Sequence, residues 1–90
     1  MQFKRWIIER NIIGKYDDDW TPEGPAWVCI GKGYSKDITE AHMYSTEKLA
    51  NQKVAVEQKS LESYLKHTGR TVTFTLVECV VNINDTKNQD

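Results

Sequence analysis

The densest run of chemistry-bearing side chains is Asp17-Asp18-Asp19, followed at once by Trp20. Three successive carboxylates invite a calcium-loop reading. Such a loop needs oxygen ligands at alternating positions, a glycine at the sixth and a carboxylate at the twelfth. Counted from Asp17, those places hold Pro22 and Val28. The pattern fails, and the run reads as a solvated acidic loop. Trp20 has two readings: an anchor for a protein partner, or a ring folded back onto the core, the second being the plainer.

Gly31-Lys32-Gly33 has the look of the end of a phosphate-binding loop, but Ala26 stands where the leading glycine belongs and Gly33 where a Ser or Thr should follow. No helix follows directly to offer its amides, so a tight turn with left-handed glycines is the simpler reading. Lys32, Tyr34 and Lys36 nevertheless form a candidate set for a nucleotide or phosphate ligand. His42 and His67 are the two histidines, and neither has a Cys or His at metal-ligand spacing. Cys29 and Cys79 stand in no activating context, and no Ser-His-acid order appears. No metal, cofactor or catalytic set is therefore expected, and the chain reads as non-enzymatic. Lys4, Arg5, Trp6 and Arg10 mix cations with an aromatic, as a base-stacking sheet face would. Against this, Trp6 is spaced with Ile8 as a core residue, and a net charge of −1 gives no general pull on nucleic acid.

These residues are carried by a chain of 90 residues, enough for one small domain. Residues 1–83 are expected to form it, with 84–90 a polar tail. Phe3 to Ile13, rich in Ile and aromatics, reads as a first strand. Pro22, Gly24 and Pro25 argue against regular structure over residues 15–25. Ala26 to Ile30 reads as a second strand, and Ala41 to Tyr44 as a short third. Ser45 is the expected N-cap of a helix over about residues 46–67, with Tyr44 and Leu49 as a hydrophobic staple. Ala50, Val54, Leu61, Tyr64 and Leu65 make its apolar stripe, and Glu57 interrupts it. Gly69 suits the helix C-terminus.

The last strand spans Thr71 to Ile83 and, as the longest and most apolar, is expected at the centre of the sheet. Val72, Phe74 and Leu76 alternate with Thr71, Thr73 and Thr75. Beyond Leu76 the threonine face continues as Val77, Cys79, Val81 and Ile83, while Glu78 enters the other face. Three explanations stand open: a bulge after Leu76, cover from the protein's own loop, or a dimer surface formed by Val77, Cys79 and Val81. Glu57 and Glu78 are expected at the rim of the helix–sheet contact, beside Lys or Arg partners, in preference to a buried acid pair. The expected fold is α+β: an antiparallel sheet of three to four strands with one long helix on a face, in the order β-β-(β)-α-β. No secretory leader or membrane span is read. Cys29 and Cys79 read as free strand thiols before a disulfide. A cytoplasmic protein is the expectation.

Trp6-Ile7-Ile8, then the pattern D-I-x-x-A-x-x-Y-S-x-x-x-x-A carried by Asp37, Ile38, Ala41, Tyr44, Ser45 and Ala50, then a long helix and an apolar last strand, resemble the small accessory proteins of tailed bacteriophages. The resemblance is to a type, and the quoted positions also have structural reasons, so it carries over no site residue. It implies a protein that binds a host protein stoichiometrically, a defence or regulatory component, in the host cytoplasm. A nucleotide-signal sponge using Lys32, Tyr34 and Lys36 and a nucleic-acid-binding module are the alternatives. For the first role Asp17, Asp18, Asp19 and Trp20 are the candidate contacts.

Overall fold

The computed structural model describes residues 1–15, 23–31 and 33–82. They form β1 (Gln2–Ile13), β2 (Gly24–Val28), β3 (Tyr34–Ser35), one 3₁₀ turn (Ile38–Glu40), α1 (Glu47–Thr68) and β4 (Thr71–Asn82). The four strands make one antiparallel sheet in the order β3-β2-β1-β4, with the helix laid on one face. This is the α+β architecture expected. Ile83 and the expected tail lie outside the described residues.

β1 takes the centre that the apolarity of β4 had suggested for the last strand. The physical reason lies in adjacent residues: Ile7 and Ile8 point to opposite faces and both are buried, so β1 is the strand apolar on both sides. β4 offers exposed Thr71, Thr73 and Thr75 on one face, which suits an edge. Strand formation also begins at Gly24, earlier than the Pro-Gly composition of that stretch suggested. Pro25 sits opposite Asn11 on β1.

The third strand is Tyr34–Ser35, not Ala41–Tyr44. Gly31 and Gly33 adopt φ of 82° and 79°, a region costly for any residue with a Cβ. They reverse the chain at once after β2, and the Cys29 N–H donates to the Gly33 carbonyl at 2.9 Å. Tyr34 and Ser35 then fall beside Val28 and Trp27. Residues 41–44 contribute a single bridge instead: the Trp6 N–H donates to the Tyr44 carbonyl at 3.0 Å and the Tyr44 N–H to the Trp6 carbonyl at 2.7 Å.

After that bridge the chain bends at Ser45 and Thr46, and the helix starts one residue later than expected. Thr46 is the N-cap, its hydroxyl accepting from the Leu49 N–H at 3.1 Å, and Ser45 is not. Leu49 is exposed and forms no staple with Tyr44, which packs with Ile8, Val28 and Ala50. Ala50, with no exposed surface, lets the helix approach the sheet closely. At the far end Gly69 closes the helix in the left-handed region, its N–H donating to the Leu65 carbonyl at 2.8 Å. Val54, Phe74, Leu76 and Trp6 complete the core.

β1 and β4 pair without interruption from Gln2↔Asn82 to Ile13↔Thr71. The bulge considered after Leu76 does not exist: Leu76, Val77 and Glu78 face Ile8, Ile7 and Trp6 in sequence. Glu78 is tolerated on the helix side because that end of the ribbon is solvated. It pairs with Lys4 at 3.3 Å, with side chains 51% and 70% exposed. Cys29 and Cys79 are not joined in a disulfide. Among the described residues no helix is long and apolar enough to cross a membrane.

Candidate functional site

Alternation along β1 puts Lys4, Trp6, Ile8, Arg10 and Ile12 on the helix side of the sheet. An arginine in this row has to be buried under the helix, and Arg10 is 3% exposed. Its guanidinium lies 3.7 Å from the centroid of the Tyr34 ring, a cation–π stack. The Tyr34 hydroxyl also engages Glu57 on α1, which in turn lies 3.6 Å from Lys53 one turn away. Burial, then the Glu57 charge, pushes the Tyr34 phenol from 10.0 up to about 12, with Arg10 opposing. Burial also raises Tyr44, helped by Glu57 and Cys29. The guanidinium of Arg10 is shifted down by burial, against the pull of Tyr34 and Glu57.

A second buried arginine continues this polar seam. Arg70 donates from Nε to the Gly14 carbonyl at 2.7 Å and from Nη1 to the Tyr64 hydroxyl at 2.7 Å. The seam fixes the helix on the sheet, and the raised Tyr34 phenol stays protonated across the neutral range. Its signal in the sequence was the placement of Arg10 between Ile8 and Ile12 at strand spacing.

The residues singled out from the sequence are distributed as follows. Asp17, Asp18, Asp19, Trp20 and Lys32 lie outside the described residues. Tyr34 belongs to the seam, whereas the Lys36 ammonium donates to the Pro25 and Glu23 carbonyls at 3.0 and 3.4 Å, at the start of β2. Lys4, Trp6 and Arg10 share the helix side, but Arg5 lies on the opposite face, its guanidinium 5.1 Å from the Phe3 ring centroid. The cations and aromatic of that segment therefore form no continuous stacking surface. Glu57 and Glu78 sit apart, each beside a lysine as expected. His42 packs edge-on to Tyr44 with ring centroids 4.5 Å apart. Among the described residues no group of three or more His, Cys, Asp or Glu is placed to hold a metal.

The far end of the β1–β4 pair leaves apolar surface exposed. β2 pairs with β1 over Glu9–Ile12, and Tyr44 pairs with Trp6, so Gln2–Arg5 have only β4 beside them. The helix does not reach this end either, as the exposure of Lys4, Glu78 and Val80 shows; Val80 is 58% exposed. The result is a two-stranded ribbon, residues 2–5 against 79–82. On its other face Phe3 lies opposite Val81, Arg5 opposite Cys79 and Ile7 opposite Val77. Phe3, Val77, Cys79 and Val81 are half-buried there, whereas Ile7, farther along the same row, is buried. The dimer-surface candidates are thus contiguous and Phe3 joins them, while Val80 projects from the opposite, helix-side face beside Lys4. Comparison with protein-family models, curated proteins and solved structures finds no match, so the ribbon and its apolar row stand on their own geometry.

Proposed function

We propose that this protein acts by stoichiometric binding to another protein, and that the uncovered end of the β1–β4 ribbon is its contact surface. The observation that carries the reading is a stretch of sheet with neither a third strand nor a helix over it, bearing Phe3, Val80 and Val81. An isolated two-stranded ribbon is marginal in water, so docking onto a partner would gain order as well as apolar burial. A host protein as that partner is what the likeness to phage accessory proteins implies. Asp17, Asp18, Asp19 and Trp20 are a second candidate contact. The ends of their loop, Lys15 and Glu23, sit at the opposite end of β1 from the ribbon.

The test is affinity capture from a bacterial extract with three baits: wild type, Val80→Lys with Val81→Thr, and Trp20→Ala with Asp17, Asp18 and Asp19 changed to Ser. Circular dichroism first establishes that each bait is folded. A partner kept by the loop variant and lost by the ribbon variant is the expected result. Loss with the loop variant alone moves the contact to the loop, and equal capture by all three removes both surfaces.

A further inference from the structure

Antiparallel pairing makes alternate residues of a strand turn their N–H and C=O groups to opposite sides. Trp6 exchanges both its backbone bonds with Tyr44, on the side of β1 away from β4. The even residues of β1 therefore point away from β4, and the odd residues, Phe3, Arg5 and Ile7, bond to it. Their partners Val81, Cys79 and Val77 bond inward in turn. The remaining residues of β4, among them Leu76, Glu78, Val80 and Asn82, must aim their N–H and C=O groups at the outer edge. Among the described residues no strand pairs there.

Sheet proteins normally blunt such an edge with proline, lysine, a bulge or a very short strand. β4 has none of these. It is 12 residues long, TVTFTLVECVVN, unbulged, and Glu78 is its one charge. We propose that two copies of the chain pair antiparallel along this edge, β4 against β4 of the second copy, about a two-fold axis through Cys79. The occupant is a second copy because antiparallel pairing of one strand with itself is self-complementary: every outward donor meets the equivalent acceptor.

The side chains select the register. An axis through Glu78 would set two carboxylates directly opposite, which is destabilising. An axis through Leu76 or Val77 would set Cys79 and Val81 against threonines. With the axis at Cys79, Val77 faces Val81 of the second copy, and the two apolar rows join into one. Glu78 and Val80 then exchange both backbone bonds across the seam, as do Leu76 and Asn82. The two Cys79 residues meet at a non-hydrogen-bonded site, with Cα atoms about 4.5 Å apart. This pairing uses the strand edge, not the ribbon face proposed for a protein partner, and purified chain alone tests it.

Light scattering of the wild type at high concentration should give twice the chain mass of 10.4 kDa, returning to the monomer on dilution. Val80→Pro removes one outward N–H and no inward one, so it should leave the fold intact by circular dichroism and abolish the dimer. Cross-linking of the wild type needs no variant. Copper phenanthroline takes two electrons from the two Cys79 thiols, which lose their protons and form a disulfide; the Cα spacing suits that bond. A covalent dimer that disappears in Cys79→Ser is the expected product. A chain that stays monomeric, or a dimer unaffected by a folded Val80→Pro variant, overturns edge pairing. A dimer that Val80→Pro abolishes but Cys79 cannot cross-link overturns the register.

Discussion

Replacing Arg70 with alanine should be among the costliest single changes outside the apolar core. The side chain is 5% exposed and ties the turn between α1 and β4 to the end of β1. It gives up two hydrogen bonds of 2.7 Å, each from a charged donor to a neutral acceptor. Charge-assisted bonds contribute about 1.5–3 kcal/mol each. Water can reach the partly exposed Gly14 carbonyl and the half-buried Tyr64 hydroxyl after the change, which favours the lower figure for both. The expected loss is about 3 kcal/mol, equivalent to roughly 12–24 °C in Tm for a domain this small. Arg70→Lys should recover little, because an ammonium cannot span both acceptors as the planar fork does. Urea unfolding monitored by tryptophan fluorescence measures the change. Tyr64→Phe alone and together with Arg70→Ala completes a cycle whose coupling should be about 1 kcal/mol. An Arg70→Ala variant within ~1 kcal/mol of wild type would refute the seam as a fastening between helix and sheet.

The helix start and the buried phenol give two further expectations. Thr46→Ala should cost about 1 kcal/mol through loss of the cap, while Ser45→Ala should stay within about 0.5 kcal/mol, both read from urea midpoints. The raised Tyr34 phenol makes the folded state hold a proton that the unfolded chain releases at about pH 10. Stability from this group is full below pH 10 and falls as pH rises toward 12, by up to about 1.4 kcal/mol per unit. Tyr44 adds in the same sense. Urea midpoints measured from pH 9 to 11 should drop in wild type and drop less in Tyr34→Phe; parallel slopes would count against the buried position of Tyr34.

What could be read in advance was whatever a local pattern decides. The threonine alternation located β4, the stripe from Ala50 to Leu65 located the helix, and Gly69 marked its end. The α+β class followed from those elements in order. What could not be read depended on contacts between distant segments. The Trp6–Tyr44 bridge fixes the chain just before the helix, and the cap falls to Thr46 and not Ser45, a shift no property of either hydroxyl side chain announces. Central placement went to β1 because it has neighbours on both edges and apolar side chains on both faces. The length and apolarity of β4, judged alone, pointed the other way. Glu78 looked like a fault in an alternating strand until the reach of the helix was known. Arg10 was grouped with Lys4, Arg5 and Trp6 as a possible base-stacking face because its partners Tyr34 and Glu57 come from elements far along the chain.

The long pairing of β1 with β4 has a consequence for how the chain comes together. Every other element lies in the sequence between these two strands, so their ladder closes almost the largest loop the domain contains. Such non-local pairing is slow to form, because loop entropy is lost before most contacts are gained. During synthesis β1 is made first and its ladder partner last. Until β4 follows, Ile7 and Ile8 lie on a strand whose longer edge is unpaired, a state prone to aggregation. Helix α1 and the β2–β3 hairpin can form earlier from local contacts, leaving the placement of β4 as the step on which completion of the fold waits.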